Sequence, residues 1–342
     1  MTTRPRILTG DTPTGRLHLG HFVGSLENRI RLQRDHECYV LVANVHAFTT
    51  RATQPDDIRR DTIEIVRDEL AAGIDPEQST FVVQSEIPAI AELTFLLAML
   101  IPYSRVMRNP TLKAEITSKQ LGDHYSFGFP LYTVGQCADI LTFRANLVPV
   151  GEDQAAHIEM AREVARRFNQ VYGDEVFPVP EPLFGRVARL PGIDGVEKMS
   201  KSRGNAIYLS DSADEIRKKI ARLYTGRQST TEPGDPDNVL FQYARAFIPD
   251  EDHVRELADR YARGADIGDG AIKAEVAAAI DALVAPMRER RAGFTDDAVL
   301  EILREHTRRA NAVAEDTLAR AKAAMRLDFG PRRLSFADIA PR

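Results

Sequence analysis

The chain has 342 residues, of which 43% are apolar and 28% charged, with a formal net charge of −5. That supplies core for one large domain or two, and the net charge imposes no nucleic-acid partner, although it hides any local basic face. Cys38 and Cys137 lie in apolar surroundings without a CxxC partner, which argues against a zinc site or a disulfide framework.

The first apolar run predicts a short strand, Arg6–Thr9. The small-residue turn TGDTPTG follows, and then a helix from His21 to Gln33. Such a turn between strand and helix brings backbone close to something, often a phosphate, although an ordinary β–α turn has the same composition. Further strands are predicted at Cys38–Ala43, Thr80–Gln84 and Leu147–Val150. Between them lie helices at Pro55–Ala72, stopped by Gly73, at Ala89–Leu100, and at Gln154–Val171. Strands alternating with helices imply an α/β fold, a Rossmann-type doubly wound parallel sheet. TGDTPTG, ANVHAFT, QSEIP and PVGEDQ all follow strands, so they gather at the carboxyl edge, where such sheets bind ligands.

After about residue 210 the strand signal fades. Helices are predicted at Asp214–Tyr224, Asn238–Phe247, Asp252–Ala262, Ala271–Arg291 and Asp296–Met325, with Gly- and Pro-rich breaks at 231–237 and 264–270. The expected organisation is a catalytic domain over 1–205, a C-terminal α-helical domain over 206–300, a helix at 301–326 packing back on the first domain, and a mobile tail at 327–342. No apolar run approaches the length of a membrane span, and the N-terminus lacks a signal-peptide core, so a cytoplasmic setting is expected.

Two segments carry chemistry. His18-Leu19-Gly20-His21 sets two histidines three apart at a helix N-terminus, where N–H groups and the dipole favour an anion, and Gly20 leaves room beside the backbone. EKMSKSRG, residues 197–204, places Lys198 and Lys201 among small hydroxyl residues in a loop able to carry cations onto a polyphosphate. Taken alone, that loop also reads as a solvated basic segment.

HxGH early, KMSKS late and alternating α/β between them resemble the class I aminoacyl-tRNA synthetases. Within the class the likeness is strongest to the tryptophanyl-tRNA synthetase family, over about residues 5–326, including VHAFT at 45–49, AAGIDP at 71–76, VQSEIP at 83–88, ADIL at 138–141 and VPVGEDQ at 148–154. Many bacterial members carry asparagine where His21 stands and methionine where Gln136 stands, so the chain resembles a divergent branch.

The resemblance implies a Rossmann catalytic domain, a helical domain for the tRNA anticodon region and a homodimer. It also implies activation of L-tryptophan by ATP with magnesium, then transfer to tRNA(Trp). Thr12, Pro13 and Thr14 then form the phosphate-side turn, Gly20 and His21 approach the nucleoside, and His18 donates to the phosphate chain. Gly151, Glu152 and Asp153 line the ribose and amino-acid edge, and Leu190 meets adenine through its backbone. Lys198, Met199, Ser200, Lys201 and Ser202 belong to the loop that closes on the outer phosphates. Magnesium is carried by phosphates and water, since no carboxylate cage is visible.

An indole N–H needs a buried acceptor. Asp139 is the expected one, oriented by Gln136 a helical turn earlier, with Tyr132 and His46 flanking and Gln154 at the amino or carboxylate end. A helix cap for Asp139, a surface place for Gln136 and a structural role for His46 stay open. The runs Arg217-Lys218-Lys219 and Arg288 with Arg290 and Arg291 are expected tRNA backbone contacts, or solvated faces. The competing readings are a tyrosyl-tRNA synthetase, an adenylate-forming paralogue that charges no tRNA, and a non-catalytic tRNA-binding protein.

Overall fold

A computed structural model describes residues 4–122, 124–185, 190–195, 199–201, 203–227, 229–265 and 267–330. Strand β1 (Arg6–Asp11) leads through the small-residue turn into α1 (Leu19–His21), a π-helical turn at Phe22–Leu26, and α2 (Glu27–Leu32). Then come β2 (Glu37–Val42), α3 (Asn44–Arg51), α4 (Pro55–Ala72) and β3 (Ser79–Val83). Four helices follow, α5 (Pro88–Ala98), α6 (Tyr103–Met107), α7 (Pro110–Ser118) and α8 (Gly128–Thr142). Strand β4 (Leu147–Val150), α9 (Ala155–Tyr172) and β5 (Glu181–Phe184) complete the α/β part. The rest is helical, with α10 (Ala213–Ala221), α11 (Val239–Phe247), α12 (Glu251–Arg263), α13 (Asp269–Ala292) and α14 (Asp296–Ala324).

The sheet runs β3-β2-β1-β4-β5 with every pairing parallel. From β1 the chain winds outward to β2 and β3, and it returns to the other flank with β4. The strand order therefore reverses between β1 and β4, and a ligand crevice opens beyond their carboxyl ends. A Thr9 Oγ1 hydrogen bond to the Pro149 carbonyl, 3.0 Å, ties the two strands together there.

Side chains of β2 alternate between two cores, as the period of a strand requires. Val40 and Val42 join Phe81, Ile65, Val66 and Leu70 in a core that runs on into Ile216, Phe241, Tyr243, Ile280 and Val284 of the helical part. Tyr39 and Leu41 join Leu93, Leu97, Ile140, Leu141 and Ile158 on the opposite face, with Leu318 of α14. The outer edge of β3 is covered by α14, where His306 Nδ1 accepts the Phe81 N–H at 3.2 Å and Thr307 Oγ1 accepts the Val83 N–H at 3.3 Å. Two otherwise open ladder donors are satisfied in this way.

The fifth strand is absent from the sequence reading. Its four residues, EPLF, include a proline and alternate poorly, and its edge position tolerates both. Helices α3, α6 and α7 were likewise missed, being short segments with too few apolar positions to show a period. Helix α4 matches its expected bounds because Pro55 opens it and Gly73, at φ 119°, closes it in the left-handed region.

Candidate active site

The turn after β1 is held from three sides. Arg51 of α3 donates to the Pro13 carbonyl at 2.8 Å, and Lys201 Nζ donates to Thr14 Oγ1 at 3.0 Å and to the Gly15 carbonyl at 2.7 Å. Asp68 of α4 accepts the Leu17 N–H at 2.7 Å. Thr12 and Thr14 are exposed, and Pro13 is buried.

Residues 17–19, with His18 extended and Leu19 opening α1, zip onto the segment that follows the lysine loop. The Leu19 N–H donates to the Ile207 carbonyl at 2.9 Å, and the Leu209 N–H donates to the Leu17 carbonyl at 3.0 Å. The histidine signature is thus joined by backbone hydrogen bonds to the chain that leaves the lysine loop. His18, buried and extended, precedes the first turn of α1, and its N–H donates to His21 Nδ1 at 3.2 Å. The two imidazole centroids stand 3.8 Å apart. A Cβ on residue 20 would stand 3.0 Å from the His18 ring, so Gly20 is what lets that ring lie against the backbone. The space expected beside Gly20 is therefore occupied here by His18.

Lys198 and Ser202 lie outside the described residues. Met199 is buried, and its N–H donates to the Leu190 carbonyl at 3.1 Å. The Ser200 N–H donates to Asn205 Oδ1 at 2.8 Å. These bonds seat the loop so that the Lys201 ammonium meets the turn after β1. Burial pulls the Lys201 ammonium down to about 8, against the opposing pull of Asp11, Asp68 and Asp61. Asp11 ends β1 in a 2.5 Å ion pair with Arg29, which also reaches Glu69 at 2.9 Å. Burial favours its neutral form, but Arg29, with His21 and Lys201, outweighs it and holds Asp11 at about 2. The crevice therefore combines cations on a polar turn with a carboxylate that stays charged. Gly151, Glu152 and Asp153 follow β4 on the other flank, with both acids exposed. Among the described residues no group of three His, Cys, Asp or Glu side chains stands close enough to hold a metal ion.

Beside the carboxyl ends of β2 and β3, a buried polar cluster gathers around Asp139 of α8. Asp139 is 3% exposed, and Gln84, just past β3, donates through Nε2 to Oδ1 at 2.8 Å and Oδ2 at 3.0 Å. Gln84 Oε1 accepts the N–H groups of Val45 and His46 at 3.1 and 3.3 Å, which fixes the direction of the amide. Its Nε2 also lies 3.0 Å from His46 Nε2, so that ring nitrogen is an acceptor and the proton sits on Nδ1, 3.8 Å from Asp139. A Cβ on Gly135 would come within 2.8 Å of His46 Nε2, so the ring packs on the α8 backbone only because that position is glycine. Burial pushes the Asp139 carboxyl up to about 7, against the Gln84 hydrogen bond, and pulls His46 down to about 4, with His157 adding to the effect.

Tyr132 faces His46 across 5.7 Å and His157 across 5.5 Å, and its hydroxyl donates to Glu115 at 3.1 Å. Gln136 does not orient Asp139; its amide donates to Gln154 Oε1 at 3.2 Å. Gln84 takes the role expected of Gln136, because the reach of a side chain from a neighbouring strand end is invisible in helical spacing. A polar residue closing the apolar run FVVQ is the one local signal by which it could have been found. His157, buried against Asn109 and Tyr132, carries no comparable local signal.

The profile of the family "tRNA synthetases class I (W and Y)" matches residues 1–285, and the chain belongs to that family. The tryptophan–tRNA ligase of Clostridium longisporum is 44% identical over 332 residues, covering 94% of this chain and 97% of its relative. That of Treponema pallidum is 43% identical over 333 residues, covering 95% and 98%. Among solved structures, tryptophanyl-tRNA synthetase from Campylobacter jejuni complexed with ADP and tryptophan superposes with a TM-score of 0.80 at 30% identity, over 94% of this chain and 100% of that one. A tyrosyl-tRNA synthetase from Archaeoglobus fulgidus shares the fold, with a TM-score of 0.67 at 22% identity, over 84% of this chain and 90% of that one.

Proposed function

We propose that this enzyme is a tryptophan–tRNA ligase that activates L-tryptophan with ATP and transfers it to tRNA(Trp), releasing pyrophosphate and AMP. The observation that carries the reading is a cationic crevice at the topological switch point together with a buried acceptor, Asp139, held by residues that follow the neighbouring strands, in a chain related along its length to tryptophan–tRNA ligases. Adenylation is attack by the tryptophan carboxylate on the α-phosphorus of ATP, which needs alignment and charge neutralisation rather than a protein nucleophile.

In this reading the turn Thr12-Pro13-Thr14, with Gly20, His18 and His21, cradles the nucleotide. Lys201, with Lys198, Met199, Ser200 and Ser202, covers its outer phosphates. Gly151, Glu152 and Asp153 face ribose, and Leu190 borders adenine. Asp139 accepts the indole N–H, Tyr132 and His46 wall the ring, and Gln136 with Gln154 lies at the amino-acid end. Magnesium, carried by phosphates and water, would supply further charge neutralisation. Residues 1–205 form the catalytic domain and 206–300 the helical domain that reads the anticodon region. Helix α14 covers the sheet edge of the former, and of the tail expected at 327–342, residues 331–342 lie outside the described residues.

Of the basic runs, Arg217 pairs with Asp214, Lys219 with Asp211, and Arg288 with Asp281. Lys218 is exposed and is the side chain of that run best placed to meet a phosphate backbone. Pyrophosphate exchange across all twenty amino acids tests the reading. Exchange driven by tryptophan alone supports it, and exchange driven by tyrosine or by none of the twenty overturns it.

Two expectations follow from charge and surface. Tryptophan binding requires the Asp139 carboxylate, so it weakens as pH falls below about 7. The loss approaches about tenfold per pH unit, because binding then displaces a proton. The kcat/KM for ATP requires the Lys201 ammonium, so it falls as pH rises above about 8. Titrations of ligand fluorescence and of exchange rates against pH check the two limbs separately.

A homodimer is expected through the catalytic domain. Phe95 on α5, Met99 just past its end, and Tyr103 opening α6 are 66%, 63% and 65% exposed, and Phe127 before α8 is 75% exposed. Apolar side chains gathered on packed helices mark a surface for association. Sedimentation at micromolar concentration reports a dimer if this is right, and Phe95→Lys with Met99→Lys shifts it toward monomer.

A further inference from the structure

Helix α4 buries three carboxylates, Asp61, Asp68 and Glu69, and all three reach the turn after β1. Asp61 pairs with Arg51 at 2.7 Å, and Arg51 holds the Pro13 carbonyl. Glu69 pairs with Arg29, and Arg29 holds Asp11. Asp68 acts directly, accepting the Leu17 N–H through Oδ2. Its other oxygen, Oδ1, accepts Arg291 Nε at 2.6 Å. Arg291 is the penultimate residue of α13, and its second arm pairs with Glu64 of α4. Beside it, Arg290 Nε donates to the Ala71 carbonyl at the end of α4, 2.7 Å. Of the three acids, Asp68 is the one that reaches the helical part as well as the signature.

We propose that Asp68 and Arg291 are positioning residues for the nucleotide signature, with Arg291 fixing the carboxylate of Asp68 and Asp68 fixing the backbone of Leu17 and hence His18. The geometry leaves Leu17 one external handle. It is fully buried, its carbonyl is engaged by Leu209, and its N–H points to α4. A buried amide with a carboxylate acceptor is held more tightly than one with a neutral partner. Stability alone does not account for the pair, because a buried ion pair exchanged for well-packed apolar side chains is often neutral or stabilising. What an apolar pair cannot supply is an acceptor aimed at Leu17. The end of α13 therefore sets where His18 stands, so that a small shift of the helical part against α4 is felt at the phosphates. This rests on reading His18, His21 and Lys201 as the nucleotide site.

The test uses the full chain with Arg291→Met, Arg291→Lys, Asp68→Asn and the double variant Arg291→Met/Asp68→Asn. Binding of a fluorescent ATP analogue, exchange kinetics for ATP, tryptophan affinity and the thermal midpoint are measured on each. Arg291→Met is expected to weaken ATP parameters about tenfold, in the range of couplings carried through packed networks, and to leave tryptophan affinity within about twofold. Arg291→Lys, which keeps a donor for Asp68, recovers most of that loss. The double variant loses no more than Asp68→Asn alone, as for two residues acting through one contact. Should Asp68→Asn not fold, the partly exposed Arg291 position and its lysine rescue carry the test by themselves. ATP and tryptophan parameters falling together, or a lowered thermal midpoint with ATP parameters unchanged, overturns the inference. Nucleotide binding is read without catalysis, so absence of tryptophan-dependent exchange in the wild type counts against the proposed function and leaves this comparison intact.

Discussion

Lys201→Ala is expected to slow adenylate formation by about two to three decades, a loss of about 2–4 kcal/mol, while tryptophan binding stays nearly unchanged. The ammonium of Lys201 sits on the turn after β1, hydrogen bonded to Thr14 and Gly15. Those partners are neutral oxygens, and a polyphosphate placed there offers far stronger ones. The charge it meets grows as the bond to pyrophosphate breaks. An interaction made mainly in the transition state lowers the rate more than it weakens ground-state binding. Asp11 and Asp68 favour the charged form of Lys201, so the cation is ready at neutral pH despite its burial. Lys201→Arg retains the charge and is expected to recover part of the rate. Its bulk does not fit the bonds to Thr14 and Gly15 in the same geometry, so the recovery is incomplete. Single-turnover formation of the adenylate measures both variants. A normal rate in Lys201→Ala removes this residue from the reaction.

The parts of the site legible in the sequence are those fixed by local backbone demands. TGDTPTG reads as a turn because small residues and proline end the first strand, and His18 with His21 reads as a helix start because of spacing. The lysine loop reads as a phosphate clasp through its pairing with that turn in the family's pattern of motifs, and the ladder between residues 17–19 and 207–209 gives the pattern its physical basis. What stays hidden is any contact made between elements distant in the chain. Gln84 reaches Asp139 from the end of a neighbouring strand, and no periodicity within α8 reveals it. The acids of α4 look like the polar face of an amphipathic helix, yet Asp68 and Glu69 are each 1% exposed because arginines from α2 and α13 neutralise them. For the same reason the basic run at 288–291 suggests an RNA surface, while Arg290 and Arg291 are spent on α4. A charged residue in a sequence declares its charge but not the partner that has already claimed it.

Asp139→Ala is expected to cost about 2–3 kcal/mol in tryptophan activation, the worth of a hydrogen bond to a charged group, with the ATP site undisturbed. Tryptophan and tyrosine are both flat, so stacking against Tyr132 and His46 separates them poorly. Polarity separates them well. Indole presents one donor at a fixed position, whereas a phenol presents a donor and an acceptor farther along the ring axis. The pocket answers the first pattern. Gln84 cannot turn its carbonyl toward the ligand, because Val45 and His46 hold it, so its NH2 stays on Asp139 and His46. With both carboxylate oxygens already leaning on one donor, Asp139 keeps lone pairs free for a second, which is what an indole N–H requires. A phenol hydroxyl brought to the same place finds its acceptor capacity unmet. Benzothiophene-alanine, which lacks the indole donor, is therefore rejected by the wild type and gains relative ground in Asp139→Ala. The chain contains no tryptophan, so the bound amino acid is followed by its own fluorescence without background from the protein. Gln84→Ala is expected to reproduce part of the loss through a carboxylate that has lost its alignment. Wild-type protein that activates tyrosine as readily as tryptophan overturns the assignment of the pocket, and unchanged tryptophan activation in Asp139→Ala moves the acceptor to another residue.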